Sequence, residues 1–347
     1  MSHGNIKNSP SGPSGQKLRV GVVGIGYLGK FHVEKYASIP EVQIVGLADR
    51  IVARAKEWAD KLGSKAFSDY QELLGAVDVV SVAVPTDQHH RVAKDFLQSG
   101  SDVLLEKPIS STLWEAEDLI STTQKYGRIL QVGHLERFNP AILAVREKIR
   151  TPLFIEAHRL TPFRGRGTEV DVVLDLMIHD LDIILNVVRS KVEHIHAVGV
   201  PVLTEKVDIA NARIQFEGGC VANITASRIS IEDQRRLRIF QPDTYLAVDY
   251  ASKKVAMYRR IPASGRPNAE IISEQVPVEP GDALEMEIRS FLRSSMNRTT
   301  PLVTGEDGKK ALALALDINE QIRTNIKKIP SISSFYEMRE DLLDASR

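Results

Sequence analysis

From Leu18 onward the chain alternates short apolar runs with stretches whose apolar residues recur every three or four positions. Apolar runs at 18–23, 42–48, 77–84, 103–105 and 129–132 are bounded by turn residues and read as buried strands. Between them, helical spacing runs through Phe31, Val33, Tyr36 and Ala37 and stops at Pro40. It returns at 51–62, with Gly63 as a cap, briefly at 70–74, and again at 89–99 and 114–126. Strands separated by single helices are βαβ units. They predict a parallel sheet with right-handed crossovers, its loops gathered along one rim.

After Pro140 the rhythm changes. Helical spacing at 141–149 and at about 172–188 gives way to strand-like runs at 192–200, 209–216, 221–229, 236–240, 245–249, 255–259 and 271–276. Turn signals such as Glu217-Gly218-Gly219 and Gln241-Pro242-Asp243 separate them, and two helices, at 283–296 and about 305–325, close the pattern. Many short strands with few helices between them predict a large, mostly antiparallel open sheet covered by helices on one face. The expected organisation is a disordered tail at 1–16, a parallel α/β domain at 17–139, an α+β substrate-binding and oligomerisation domain at 140–330, and a C-terminal tail at 331–347.

Bulk composition narrows the function classes. A length of 347 residues suits about two domains at roughly 100–200 residues each. Lys+Arg and Asp+Glu both number 45, so there is no basic excess of the kind a nucleic-acid binder carries. Cys220 is the single cysteine and rules out an intrachain disulfide. It sits in an alternating stretch and reads as a small buried side chain. The Ser/Gly/Pro/Asn-rich start has no apolar run of a secretory signal, and no later run reaches the ~18 apolar residues of a membrane span. The expected location is the cytoplasm, with no membrane or nucleic-acid partner.

The first strand runs into Gly24-Ile25-Gly26-Tyr27-Leu28-Gly29, a G-x-G-x-x-G that also opens a helix. In that context Gly24 permits the tight turn, Gly26 lets a pyrophosphate approach the backbone, and Gly29 lets helix and strand pack closely. The helix N-terminus favours the diphosphate. Asp49, at the end of the second strand, can accept from ribose hydroxyls and would repel a 2′-phosphate, so NAD is expected over NADP; Arg50 beside it is the residue that could take such a phosphate. The 17–139 segment is therefore expected to be a Rossmann domain.

Three groups on the loops and helices carry candidate chemistry. Glu106-Lys107-Pro108 follows the fourth strand, where a lysine can hydrogen-bond a substrate hydroxyl and stabilise a developing alkoxide; a solvated surface lysine is the plain alternative. Asp175 and His179, at i and i+4 of an apolar helical stretch, would share a face, and a carboxylate beside an imidazole fixes its tautomer for proton abstraction. Asp182 lies three positions beyond His179, yet no cysteine or second histidine stands at ligand spacing, and no metal is expected. Pro85-Thr86-Asp87-Gln88-His89-His90 follows the third strand. Pro85, Thr86 and His89 are expected at the cofactor, with helix capping by Thr86 or Asp87 as the modest alternative. His134, after the fifth strand, is a similarly placed substrate candidate.

Taken together, these residues resemble the glucose-fructose oxidoreductase/inositol dehydrogenase (Gfo/Idh/MocA) family from about Leu18 to Asn325. The marks are Gly24-x-Gly26-x-x-Gly29, Pro85-x-x-x-His89-x-x-x-Ala93, Glu106-Lys107-Pro108, Arg137-Phe138-Asn139-Pro140 and Asp175-x-x-x-His179-x-x-Asp182. The resemblance implies Lys107 and His179 as the catalytic pair, His179 as acid/base with Asp175 orienting it, and a homodimer or homotetramer built through the open sheets. Val170-Asp171 and Met177 stand where many members carry glycines, which bears on the shape of the substrate pocket.

Phe163-Arg164-Gly165-Arg166-Gly167 through Asp182 looks like the branch of that family that oxidises the 3-hydroxyl of UDP-N-acetylglucosamine, making a 3-keto sugar for a partner aminotransferase. Arg159, Arg164 and Arg166 are then expected to hold the diphosphate through guanidinium forks, against a solvated Arg/Gly loop. A dehydrogenase of free inositol or another unactivated sugar, and a non-catalytic NAD-sensing protein, are the competing expectations.

Overall fold

The computed structural model describes residues 17–165, 169–262 and 270–328. They form two compact units: residues up to Glu106 with Glu117–Gly133 and Glu287–Thr304, and Lys107–Ala116 with His134–Met286 and the residues from Gly305 onward.

In the first unit, β1 (Leu18–Val23), β2 (Val42–Ala48), β3 (Lys65–Phe67), β4 (Val79–Val82), β5 (Asp102–Glu106) and β6 (Leu130–Gly133) form one parallel sheet in the order β3-β2-β1-β4-β5-β6. The connecting helices are α1 (Gly29–Ala37), α2 (Val52–Leu62), α3 (Thr86–Gln98) and α4 (Leu113–Tyr126). β4 is buried along its whole length, as a strand covered on both faces must be. Strand order reverses between β1 and β4, so the loops after these two strands frame the crevice where an open α/β sheet binds its ligand. The segment 287–304 also belongs here: Val132 N–H donates to Val303 O at 3.2 Å, and buried Asp102 accepts from Ser295 and Arg298.

The second unit is built on β7 (Phe154–Leu160), β8 (Val192–Val200), β9 (Ile209–Phe216), β10 (Val221–Ser227), β11 (Gln234–Phe240), β12 (Thr244–Asp249), β13 (Lys254–Ile261) and β14 (Glu270–Gln275). Their order is β14-β13-β12-β11-β7-β10-β9-β8; β7 and β10 run parallel and every other pair antiparallel. Inward rows such as Ile155/Ala157, Ala210/Ala212/Ile214 and Leu237/Ile239 pack into one core with Ala141 and Val145 of α5 (Pro140–Val145), Leu181 and Ile184 of α6 (Ile178–Val187), and Ala315 and Ile318 of α8 (Gly305–Ile326), the helix that follows α7 (Ala283–Asn297). Each fully buried Leu or Ile contributes roughly 1.5–3 kcal/mol. On the other face the rings of Phe154, Phe240, Tyr245 and Tyr258 form a line, with successive centroids 5.7, 4.7 and 5.4 Å apart.

The two expected architectures are present, with three local differences. β3 is an additional three-residue edge strand, too short to show a period. β7 was not among the expected strands, although it sits mid-sheet, because Glu156, His158 and Arg159 break its apolar content. The stretch expected as one helix at about 172–188 divides into a π turn, Val173–Met177, where Ile178 N–H reaches back to Val173 O, followed by α6.

Candidate active site

The glycine turn has the stereochemistry its sequence demands. Gly24 has φ +86°, and a Cβ there would stand 2.5 Å from Ala83 O; a Cβ on Gly29 would stand 1.7 Å from Gly24 O. A Cβ on Gly26 would meet no atom within 4 Å, so this is the open side from which a diphosphate can reach the backbone. Asp49 braces the turn, accepting from Ile25 N–H at 2.7 Å through Oδ2 and from Ile51 N–H at 2.8 Å through Oδ1. Each carboxylate oxygen keeps a second lone pair, which suits a ribose hydroxyl. Tyr27, Leu28 and Arg50 are exposed beside it. A cavity of about 300 Å³ opens next to the turn, lined by Gly26, Tyr27, Lys30, Arg54 and Trp58. These features fit a bound dinucleotide.

The loop after β4 is fixed differently from expectation. Pro85 occupies the N-cap of α3, so neither Thr86 nor Asp87 caps the helix with its side chain. His89 is buried and donates from Nε2 to Val84 O at 2.9 Å, so its imidazole shapes the loop. His90 pairs with Asp118 at 2.6 Å. Glu106 is held by a residue the sequence reading passed over: His32 meets Glu106 Oε1 at 3.0 Å through Nε2 and Ser81 Oγ at 3.1 Å through Nδ1. Its signal was a polar side chain in the buried row Gly29/His32/Val33/Tyr36 of α1.

The second unit brings Lys107, Asp175 and His179 together. Lys107 Nζ donates to the backbone carbonyl of Asp175 at 2.7 Å and stands 3.6 Å from its Oδ1. His179, in the first turn of α6, is partly exposed, and its Nδ1 is buried without a hydrogen-bond partner. Burial first, and then the positive fields of Lys107, Arg159, His134 and Arg235, push the imidazole well below its ordinary 6.5. At neutral pH it is an uncharged base. His134, buried at the start of the 3-10 turn Leu135–Phe138, is part of this surround.

Two expectations need correction. Arg159 cannot bind a diphosphate: it is 3% exposed, forks onto Asp180 (Nε–Oδ2 2.8 Å, Nη2–Oδ1 3.1 Å) and reaches Glu136 Oε1 at 2.8 Å. Two buried carboxylates already engage all three of its guanidinium nitrogens. Asp175 does not orient the imidazole of His179, because the π turn breaks the i, i+4 register and its carboxylate lies against Lys107. Asp182 is forked by Arg137 at 2.7 and 3.0 Å. The first turn of α6 is thus clamped twice, through Asp180 and Asp182. Arg164 is exposed and meets Asp233 Oδ2 at 2.9 Å, and Arg166 lies outside the described residues.

The dinucleotide turn at a strand-order switch in one unit, and the lysine ammonium and imidazole carried by the other, are each parts that a nicotinamide-dependent oxidoreductase of alcohols uses. Residues 18–134 match the model of the oxidoreductase family with an NAD-binding Rossmann fold, and residues 151–242 match the GFO/IDH/MocA C-terminal domain. The chain is 37% identical over 312 residues to UDP-N-acetylglucosamine 3-dehydrogenase of Acidithiobacillus ferrooxidans, covering 90% of this chain and 99% of that one. The solved structure of that enzyme superposes with a TM-score of 0.83 over 89% of this chain and 99% of the other. Myo-inositol 2-dehydrogenase of Thermotoga maritima is 26% identical over 86% of this chain and 94% of its own. This chain belongs to the GFO/IDH/MocA oxidoreductase family, and it is an NAD-dependent enzyme acting on sugar CH–OH groups.

Proposed function

We propose that the enzyme oxidises the 3-hydroxyl of UDP-N-acetylglucosamine to the ketone. The observation that carries the chemistry is the ammonium of Lys107, held 2.7 Å from the Asp175 carbonyl and within electrostatic reach of His179, whose imidazole burial and that cation keep below its ordinary range. His179 accepts the hydroxyl proton as the C3–H bond breaks and the carbonyl forms. Lys107, positioned by the Asp175 carbonyl, donates to the reacting oxygen and stabilises its developing negative charge. Bound NAD supplies the hydride acceptor. The choice of sugar is supported by the 37% identity to the Acidithiobacillus enzyme along nearly all of both chains.

Several finer assignments belong to the same reading. Residues 17–139 bind NAD and contribute Lys107 to the substrate, and 140–330 bind the rest of the substrate and build a homodimer or homotetramer through the open sheet face that carries Phe154, Phe240, Tyr245 and Tyr258. The keto product suits a downstream sugar aminotransferase. The enzyme acts in the cytoplasm; among the described residues no helix is long and apolar enough to cross a membrane. A substrate panel with NAD tests the function. NADH should form with UDP-N-acetylglucosamine, and a flat trace there beside turnover of free inositol would replace this reading with that of an unactivated-sugar dehydrogenase.

A further inference from the structure

With Arg159 buried and paired to two carboxylates, the sugar nucleotide's diphosphate needs another cation, and the sheet register supplies one. Arg235 of β11 lies directly opposite Arg159 of β7, and cross-strand partners project from the same face. That face is the inward one: along β11 it continues into buried Leu237 and Ile239. Arg235 is therefore an arginine at the open end of a row that is otherwise core. The two guanidiniums differ in what they have to hold. Arg159 is buried between two carboxylates. Arg235 keeps 40% of its side chain exposed, and its ion pair is a long one, 3.7 Å from Nε to Asp233 Oδ1.

The other oxygen of Asp233 accepts from Arg164 Nη2 at 2.9 Å. One half-exposed carboxylate thus gathers two guanidiniums, one from β11 and one from the segment that follows β7. A diphosphate offers the same acceptor pattern with more charge and more oxygens, and guanidinium forks match it in geometry. Arg235 also contributes to the positive field on His179, which puts it within electrostatic reach of the reacting end of the sugar.

We propose that Arg235, with Arg164, binds the diphosphate of the nucleotide sugar, and that Asp233 holds the two arginines together until the diphosphate displaces it. Arg235 is thereby the residue that favours a nucleotide sugar over an uncharged one. This rests on the nucleotide-sugar reading above.

Calorimetric titration with UDP, on the full chain with NAD present, tests it without requiring turnover. Arg235→Gln should weaken UDP by at least about tenfold, the scale of a lost charged hydrogen bond, and Arg235→Lys by less. Asp233→Asn should tighten UDP several-fold, because it removes the competing carboxylate; a merely structural Asp233 would not act in that direction. The Michaelis constant for UDP-N-acetylglucosamine should rise in step with the loss in Arg235→Gln, while that for NAD moves less than about twofold. Unchanged UDP affinity in Arg235→Gln, weaker UDP binding in Asp233→Asn, or a wild-type enzyme that does not bind UDP would each overturn the proposal. If UDP binding depends on Arg235 but no NADH forms from UDP-N-acetylglucosamine, the binding site stands and the functional reading fails. If NADH forms with a Michaelis constant indifferent to Arg235, the reverse holds.

Discussion

The ammonium of Lys107 is anchored 2.7 Å from the backbone carbonyl of Asp175, inside a π turn that ends two residues before His179. One hydrogen bond therefore ties the proposed hydrogen-bond donor to the segment that carries the proposed base. π turns recur at functional sites because they change the register of the side chains on either side. Here the change sends the carboxylate of Asp175 toward Lys107 and leaves the imidazole to be governed by burial and surrounding cations.

The imidazole's depressed pKa sets the pH behaviour. With His179 as the proposed base, turnover should stay level through neutrality and fall only as pH drops well below 6.5. Stability follows the same sign: a histidine with a lowered folded-state pKa contributes fully above its unfolded value of about 6.5 and loses that contribution as pH falls toward the folded value. His179→Ala should lower turnover at least about a hundredfold at every pH, as expected for a general base. A pH series of steady-state rates on both proteins checks this, and an unchanged rate in the variant removes His179 from the mechanism.

Lys107→Met removes both a donor and a cation. Turnover should drop by about a hundred- to a thousandfold, the usual range for losing one donor to a developing oxyanion. The acid limb of the residual activity should lie at a higher pH than in wild type, because the positive field of Lys107 helps hold His179 uncharged. An acid limb at the wild-type pH would contradict the electrostatic half of the account.

Gly26→Ala and Gly29→Ala should separate binding from folding. The Gly26 methyl meets no protein atom, so the variant should melt as wild type while its Michaelis constant for NAD rises by roughly tenfold or more, about 1.4 kcal/mol. The Gly29 methyl would stand 1.7 Å from a backbone oxygen, so that variant should lose stability before any question of affinity arises. Thermal melts with and without NAD read both effects.

Arg159→Met leaves Asp180 and Glu136 buried without their shared cation and should cost about 3–5 kcal/mol. Arg164→Met breaks an exposed pair and should cost no more than about 1 kcal/mol. Chemical denaturation distinguishes them, and equal costs would mean that the clamp on α6 carries no weight.

Both architectures were legible because period and turn residues survive in a single sequence: βαβ spacing before Pro140, alternation after it. The glycine turn was legible because Gly24 and Gly29 answer to backbone sterics alone, and Gly26 between them leaves the backbone open to a ligand. Partner choice was not. Nothing local distinguishes Arg159, buried against an acid 21 residues on and another 23 residues back, from Arg164, which stays exposed. The π turn was hidden because Val173–Met177 has ordinary helical composition. Arg235 could have been noticed as the polar member of the row Arg235/Leu237/Ile239, had the run at 236–240 been started one pair earlier.

The most direct test uses UDP-N-acetylglucosamine carrying deuterium at C3, incubated with the enzyme and NAD, and mass analysis of the reduced cofactor. Each reduced nicotinamide should carry one deuterium. Reduced cofactor without the label would show that the hydride leaves another carbon and would contradict oxidation at C3.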